Sequence, residues 1–266
     1  MRGDAGFPVR LRFAKRGKVR FISHRDVARA FERAFRIEQL PLAFTHGFSP
    51  RPKVSFGLAL SLGYESDAEY LDVELGEPVA VESLPERLSA ALPDGLAVTA
   101  VAALADRAPS LQESITSIEY RLALTGLGPQ PLGVAVDRAC ASTELPVTTT
   151  RKGKRVVEDV RPSISRLHVL GEELRAFDRP GEIDLPEINL PEVNLEVATK
   201  PRGVRPAEVI TVLRELAGAE EPVGEDRVLR TCQWIERDGV RLEPLIADRR
   251  SPTPSGAGAR ALEVCA

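Results

Sequence analysis

Two short stretches gather the residue types that could do chemistry: RFISHRD at residues 20–26 and HGFSPRPK at 46–53. Each mixes a histidine with cations, a serine and an aromatic ring. His24 or His46 could serve as a general base on a ribose 2′-hydroxyl, so His24, Asp26 and His46 form the candidate catalytic set. A metal would need a third ligand at a recognisable spacing, which this stretch does not supply, so no metal is expected. Binding of a phosphate fits the same residues. Backbone N–H groups at the start of a helix can hold an anion, with Arg25 and Arg29 beside them. Phe48 could stack on a base, and Arg51 and Lys53 could hold a sugar–phosphate chain. Plainer roles compete. Ser23 is explained by helix capping, Phe21 and Phe48 by anchoring in the core or a loop, and Pro50 and Pro52 by loop shape.

Charge points the same way as the first stretch. Residues 1–55 carry thirteen Lys or Arg against four acids, a net +9 inside a chain of net −3. A segment this basic suggests a polyanion partner, and a solvated basic face is the alternative. Its candidate contacts are Arg12, Lys15, Arg16, Lys18, Arg20, Arg25, Arg29, Arg51 and Lys53. A second basic run, RKGKR, adds Arg151, Lys152, Lys154 and Arg155. There Lys152-Gly153-Lys154 reads as an exposed hairpin tip, either a phosphate clamp or an ordinary solvated turn.

The elements that must position these groups follow from periodicity. Residues 9–14, VRLRFA, alternate apolar and basic, as a half-buried strand does. Gly17 can turn the chain, and 19–22 continue extended. Ser23 stands at a helix N-cap with Asp26 three positions on, a capping box. From His24 to Ile37, Val27, Ala30, Phe31, Ala34 and Phe35 share one face, with Arg25, Arg29, Glu32 and Arg36 opposite. Strand-like pieces at 42–45 and 53–60, a strand at 69–75, a helix at 82–92 and a strand at 96–104 follow. The order β-α-β-β-α-β is that of a ferredoxin-like fold. A looser second round has strands at 117–124, 145–150, 164–170 and 227–236 and helices at 129–141 and 205–217. The expected class is α+β with two ferredoxin-like units, at 1–104 and 117–240. A linker at 105–116 joins them, and a flexible tail covers 241–266. The near-repeat LPEIN–LPEVN within 182–195 reads as an inserted edge or extended arm because of its prolines.

Several classes are set aside. Hydrophobic residues at 43% supply a core, but no apolar run approaches the ~18 residues of a membrane helix. The first ten residues, MRGDAGFPVR, lack the apolar stretch of a signal peptide. Three widely spaced cysteines suggest neither a disulfide framework nor a zinc site, so a reducing cytoplasm is expected. The sequence has no phosphate-loop, dinucleotide-binding or nucleophile-elbow motif. With no CxxxCxxC run, no cofactor is expected.

The runs LRFAKRGKVRFISHRDVARAFERAFR and LPLAFTHGFSPRPKVSFGLALSLGYESDAEYLDVEL resemble the radical SAM-linked domain family, a family of unknown function. The likeness is dense over residues 9–104 and thinner through RKGKRVVEDVRP and GVRPAEVI. It implies a radical SAM partner, one that can bind cobalamin, and a link to an E/G-type ribonuclease. It places His24 and Asp26 on family-typical positions without a settled role. The expected function is that of an accessory protein presenting tRNA or rRNA to that enzyme. Two alternatives remain: an RNA-processing or RNA-modifying enzyme using His24 or His46, and a protein-interaction module without nucleic acid.

Overall fold

The computed structural model describes residues 6–105, 108–151, 153–171, 190–219 and 226–250. The chain is α+β, built on mostly antiparallel sheet, and divides into two compact units. The first draws on residues up to Ile115 and from Cys232 onward, and the second runs from Thr116 to Thr231.

In the first unit, β1 (Phe7–Lys15) lies between β4 (Leu96–Ala103) and β3 (Glu65–Leu75), antiparallel to both. The short β2 (Val54–Phe56) pairs with β3. Helices α1 (His24–Ile37) and α2 (Leu84–Ala91) cover one face. Phe31, Ala34 and Phe35 of α1 and Leu88 of α2 are fully buried against Val9, Leu11, Phe13, Leu71, Val73 and Leu75. The 3.6-residue period places them there, since positions three and four apart stack on one side of a helix. Prolines at 50 and 52 lack the N–H a ladder needs, and β2 shrinks to three residues. The expected strand at 42–45 is reduced to isolated bridges from Leu42 to Leu75 and Phe44 to Pro52.

Of residues 19–22, only Ile22 is extended. Gly17–Phe21 is a turn of 3-10 helix, entered through Gly17 at φ +66°. The buried ammonium of Lys15 donates to the carbonyls of Arg20 (3.2 Å) and Ile22 (3.1 Å), which draws the turn back over the strand end. Gly95 makes room for it. A Cβ at Gly95 would stand 2.4 Å from the carbonyl oxygen of Arg16, and its φ of +90° suits only glycine.

The other face of β1 departs from the half-buried expectation. Arg10 and Arg12 are buried as well. The C-terminal residues cover them: after β10 (Arg227–Arg237) come β11 (Val240–Leu242) and the short α6 (Pro244–Ala247). Arg10 makes a paired contact with Asp72 (2.7 and 2.9 Å) and reaches Asp248 and the carbonyl of Pro244, each at 3.0 Å. Tyr70 donates to Glu243, and burial next to this carboxylate raises the Tyr70 hydroxyl well above the usual tyrosine range. Residues 241–250 are therefore built into the first unit. The rest of the expected tail, 251–266, lies outside the described residues. The expected linker includes α3 (Leu111–Ser114), whose Leu111 is buried.

In the second unit, β9 (Glu192–Ala198) lies between β5 (Ser117–Ala123) and β8 (Ile164–Val169), antiparallel to both. The first half of β10 lies beside β5. Helices α4 (Pro129–Ala141) and α5 (Pro206–Ala217) pack on each other. The LPEVN segment is thus no edge or arm: its last three residues enter an interior strand. Pro191 precedes β9, where a missing N–H costs the ladder nothing, and its carbonyl accepts from Leu124 at 3.3 Å. Residues 182–189 of that stretch lie outside the described residues. Between α4 and β8, β6 (Pro146–Arg151) and β7 (Lys154–Asp159) form a separate two-stranded ribbon. Cys140 is a free thiol.

Candidate nucleic-acid interface

The first turn of α1 is built as its sequence demands. The Ser23 hydroxyl accepts the Asp26 N–H at 3.2 Å and bonds the Asp26 carboxylate at 2.6 Å, and that carboxylate accepts the Ser23 N–H at 3.3 Å. The Ser23 hydroxyl, with help from Arg29, holds the Asp26 carboxyl below the usual carboxylate range. Asp26 is committed to the cap, which explains its identity without catalysis.

From that cap, α1 carries a row of cations. Arg25, Arg29, Arg33 and Arg36 are all exposed. At 100° per residue they fall within one side of the helix, with Glu32 among them, over a span of ~17 Å at 1.5 Å per residue. Arg29 reaches Asp26 only at 3.4 Å and in solvent, a contact that fixes little. Beside the cap, Lys18 is exposed and the Arg20 guanidinium lies 4.6 Å over the ring of Phe21, itself half exposed. Arg33 and Arg36 were missing from the candidate contacts, although the helical period that places Arg25 and Arg29 places them too.

Other candidates have internal roles. The Arg12 Nε donates to the carbonyl of Asp67 at 3.0 Å, and Arg16 makes a paired contact with the Asp67 carboxylate. Lys15 supports the 3-10 turn, and Lys53 pairs with Glu74 at 2.9 Å. Several of the cations behind the +9 are thus engaged inside the fold. Arg51 is exposed in the 45–51 loop, which closes through Thr45 N–H to the Arg51 carbonyl (2.9 Å) and carries Phe48 fully in solvent. In the second unit Lys154 and Arg155 are exposed. Lys152 lies outside the described residues, and so does the side chain of Arg151.

The two histidines are not gathered into one centre. His24 meets the Phe56 ring edge-on at 5.0 Å, at the far end of β2 from the loop that holds His46. Among the described residues no group of three or more His, Cys, Asp or Glu is placed to hold a metal ion. A small recess opens under His24, lined also by Phe13, Lys15, Phe56, Leu60 and Glu69. Lys15 and Glu69 are both buried there, on a sheet face that is otherwise apolar. Burial lowers the Lys15 ammonium below its ordinary range, opposed by the nearby Glu69 carboxylate. Glu69 had no sequence signal beyond its place in an alternating strand.

A family model for an uncharacterized protein conserved in bacteria, DUF2344, matches residues 9–197. The chain belongs to this family. The DUF2344 match takes in α1, the recess, the β6–β7 ribbon and the strands through β9, and ends before α5. No curated protein matches the chain. Among the described residues no helix is long and apolar enough to cross a membrane.

Proposed function

We propose that this DUF2344 protein binds RNA through the outer side of α1 and presents it to a radical SAM enzyme, itself catalysing nothing. The observation that carries the reading is the row of exposed arginines on α1, next to the stacked Arg20–Phe21 pair. Cations along a helix can follow a phosphate chain, and exposed rings accept unstacked bases without regard to sequence. The strand order β4-β1-β3-β2 in the first unit and β10-β5-β9-β8 in the second supports two ferredoxin-like folds, a layout that sets helices on one sheet face. The second would carry the β6–β7 ribbon as an insertion. The radical SAM partner, with cobalamin in it, and the E/G-type ribonuclease rest on the resemblance of the first hundred residues. The setting is the cytoplasm, where tRNA and rRNA are modified.

A second reading has one observation in its favour. His24 stands at the mouth of a recess floored by buried Lys15 and Glu69, and charged groups in an apolar wall are the kind that proton transfer uses. On that reading the protein itself cleaves or modifies RNA. His24→Ala separates the two. The presenting role predicts RNA affinity within about 2-fold of wild type, since His24 is one contact beside several arginines. An enzyme with His24 as general base predicts unchanged affinity and loss of turnover by ~100-fold or more, measured on the RNA that the purified protein retains.

A further inference from the structure

The ribbon of β6 and β7 is left with an edge to fill. Register pairs Arg151 with Lys154, so two residues join the strands, the second being Gly153 at φ +77°. Among the described residues no strand pairs with the outer edge of β7. Val157 is 67% exposed and Val156 36%, and as neighbours in a strand they point to opposite faces. A lone hairpin is marginal in water, and a bare apolar edge is a template for another strand.

The sequence of β7 identifies that strand. It reads KRVVED over residues 154–159: two cations, two valines, two acids. Laid antiparallel to itself, this pattern can set Arg155 of each copy against Asp159 of the other and Val157 against Val157. Backbone geometry fixes the register. A two-residue hairpin loop closes on a pair that exchanges both backbone hydrogen bonds, here Arg151 with Lys154. Hydrogen-bonded and non-bonded positions then alternate. Lys154, Val156 and Glu158 turn their N–H and C=O toward β6, and Arg155, Val157 and Asp159 turn theirs outward. A ladder between two copies must join outward residues. Val157 then faces Val157 of the second copy, and Arg155 faces Asp159. Asp159 accepts the N–H groups of Leu145 and Arg161 through one oxygen, Oδ1, and its Oδ2 can accept the incoming guanidinium. Glu158 is held by Arg202 at 2.8 Å, so the two Arg155–Asp159 pairs carry the complementarity.

We infer that β7 pairs across a two-fold axis with β7 of a second copy of this chain, giving a four-stranded antiparallel sheet. The contact is isologous, as closed dimers require. It is also small, so association depends on concentration.

The test uses the full chain with Cys140 replaced by serine. Directly opposed, hydrogen-bonded residues of an antiparallel pair stand ~5.5 Å apart at Cα, within disulfide reach. Val157→Cys should therefore give a disulfide-linked dimer under mild oxidant. Val156→Cys, turned to the other face and set against Glu158 of the second copy, should cross-link at least ~10-fold more slowly, being farther from its own copy. Sedimentation equilibrium of the wild-type chain should show a mass rising toward twice that of the monomer. Val157→Pro removes one outward N–H and no bond to β6. It should keep the circular dichroism of the wild type and stay monomeric. Equal cross-linking of the two cysteine variants, or a wild-type mass that stays monomeric up to ~1 mM protein, would overturn the inference.

Discussion

Arg10→Ala will destabilise the first unit by about 3–5 kcal/mol, the cost of breaking a buried, hydrogen-bonded ion pair. Arg10 is fully buried and joins Asp72 of β3 to Asp248 and the Pro244 carbonyl. Burial opposes its charge, but the bonds to Asp72 and Asp248 hold the guanidinium above even its ordinary range. Its removal leaves a carboxylate pair facing an emptied site. Arg237 still holds Asp248 at 2.7 Å, which keeps the loss near the lower end of that range. Denaturant unfolding measures the cost, and amide exchange should show residues 244–250 opening first, since Arg10 is what ties them to β1. Arg29→Ala is the control. Its contact with Asp26 is exposed to solvent, so the unfolding midpoint should stay that of the wild type. Equal effects at the two positions would contradict the buried clamp.

Much of this organisation is legible in the sequence where local chemistry decides. The capping box of Ser23 and Asp26, the apolar face from Val27 to Phe35 and the turn at Gly153 follow from spacing alone. What was not legible is set by distant chain. The alternation VRLRFA describes one apolar and one basic face, and nothing within it says that residues 243–248 return to cover the basic one. Arg12 and Arg16 therefore read as exposed contacts, because Asp67, which holds both, lies far along the sequence. The prolines of 182–195 read as a barrier to an interior strand, yet Pro191 sits one residue outside β9 and leaves the ladder intact. The two histidine motifs look alike in composition, and only β2, which runs between them, shows that they occupy different ends of the unit.

The second large effect concerns that separation. Of the candidate cations in residues 1–55, those with internal roles should matter to folding and those on α1 to binding. Arg25→Glu/Arg29→Glu reverses two charges at exposed positions that make no buried contact, so the unfolding midpoint should hold. RNA affinity at ~50 mM salt should fall ~10-fold or more, because two phosphate contacts are lost and two repulsions are gained. The dependence of log affinity on log salt should also become shallower by ~1.4, at roughly 0.7 per single-strand phosphate contact. Lys53→Ala, by contrast, removes a partner of Glu74 and should leave that slope unchanged.

The most direct measurement is RNA binding by the wild-type chain itself, titrated against total cellular RNA at ~50 and ~200 mM salt. Four to six phosphate contacts along α1 and its neighbours predict affinity falling by roughly 50- to 300-fold across that range. Binding that is absent at both salts, or equally strong at both, would contradict an RNA-presenting surface made of these arginines and would turn the basic side of α1 toward a protein partner instead.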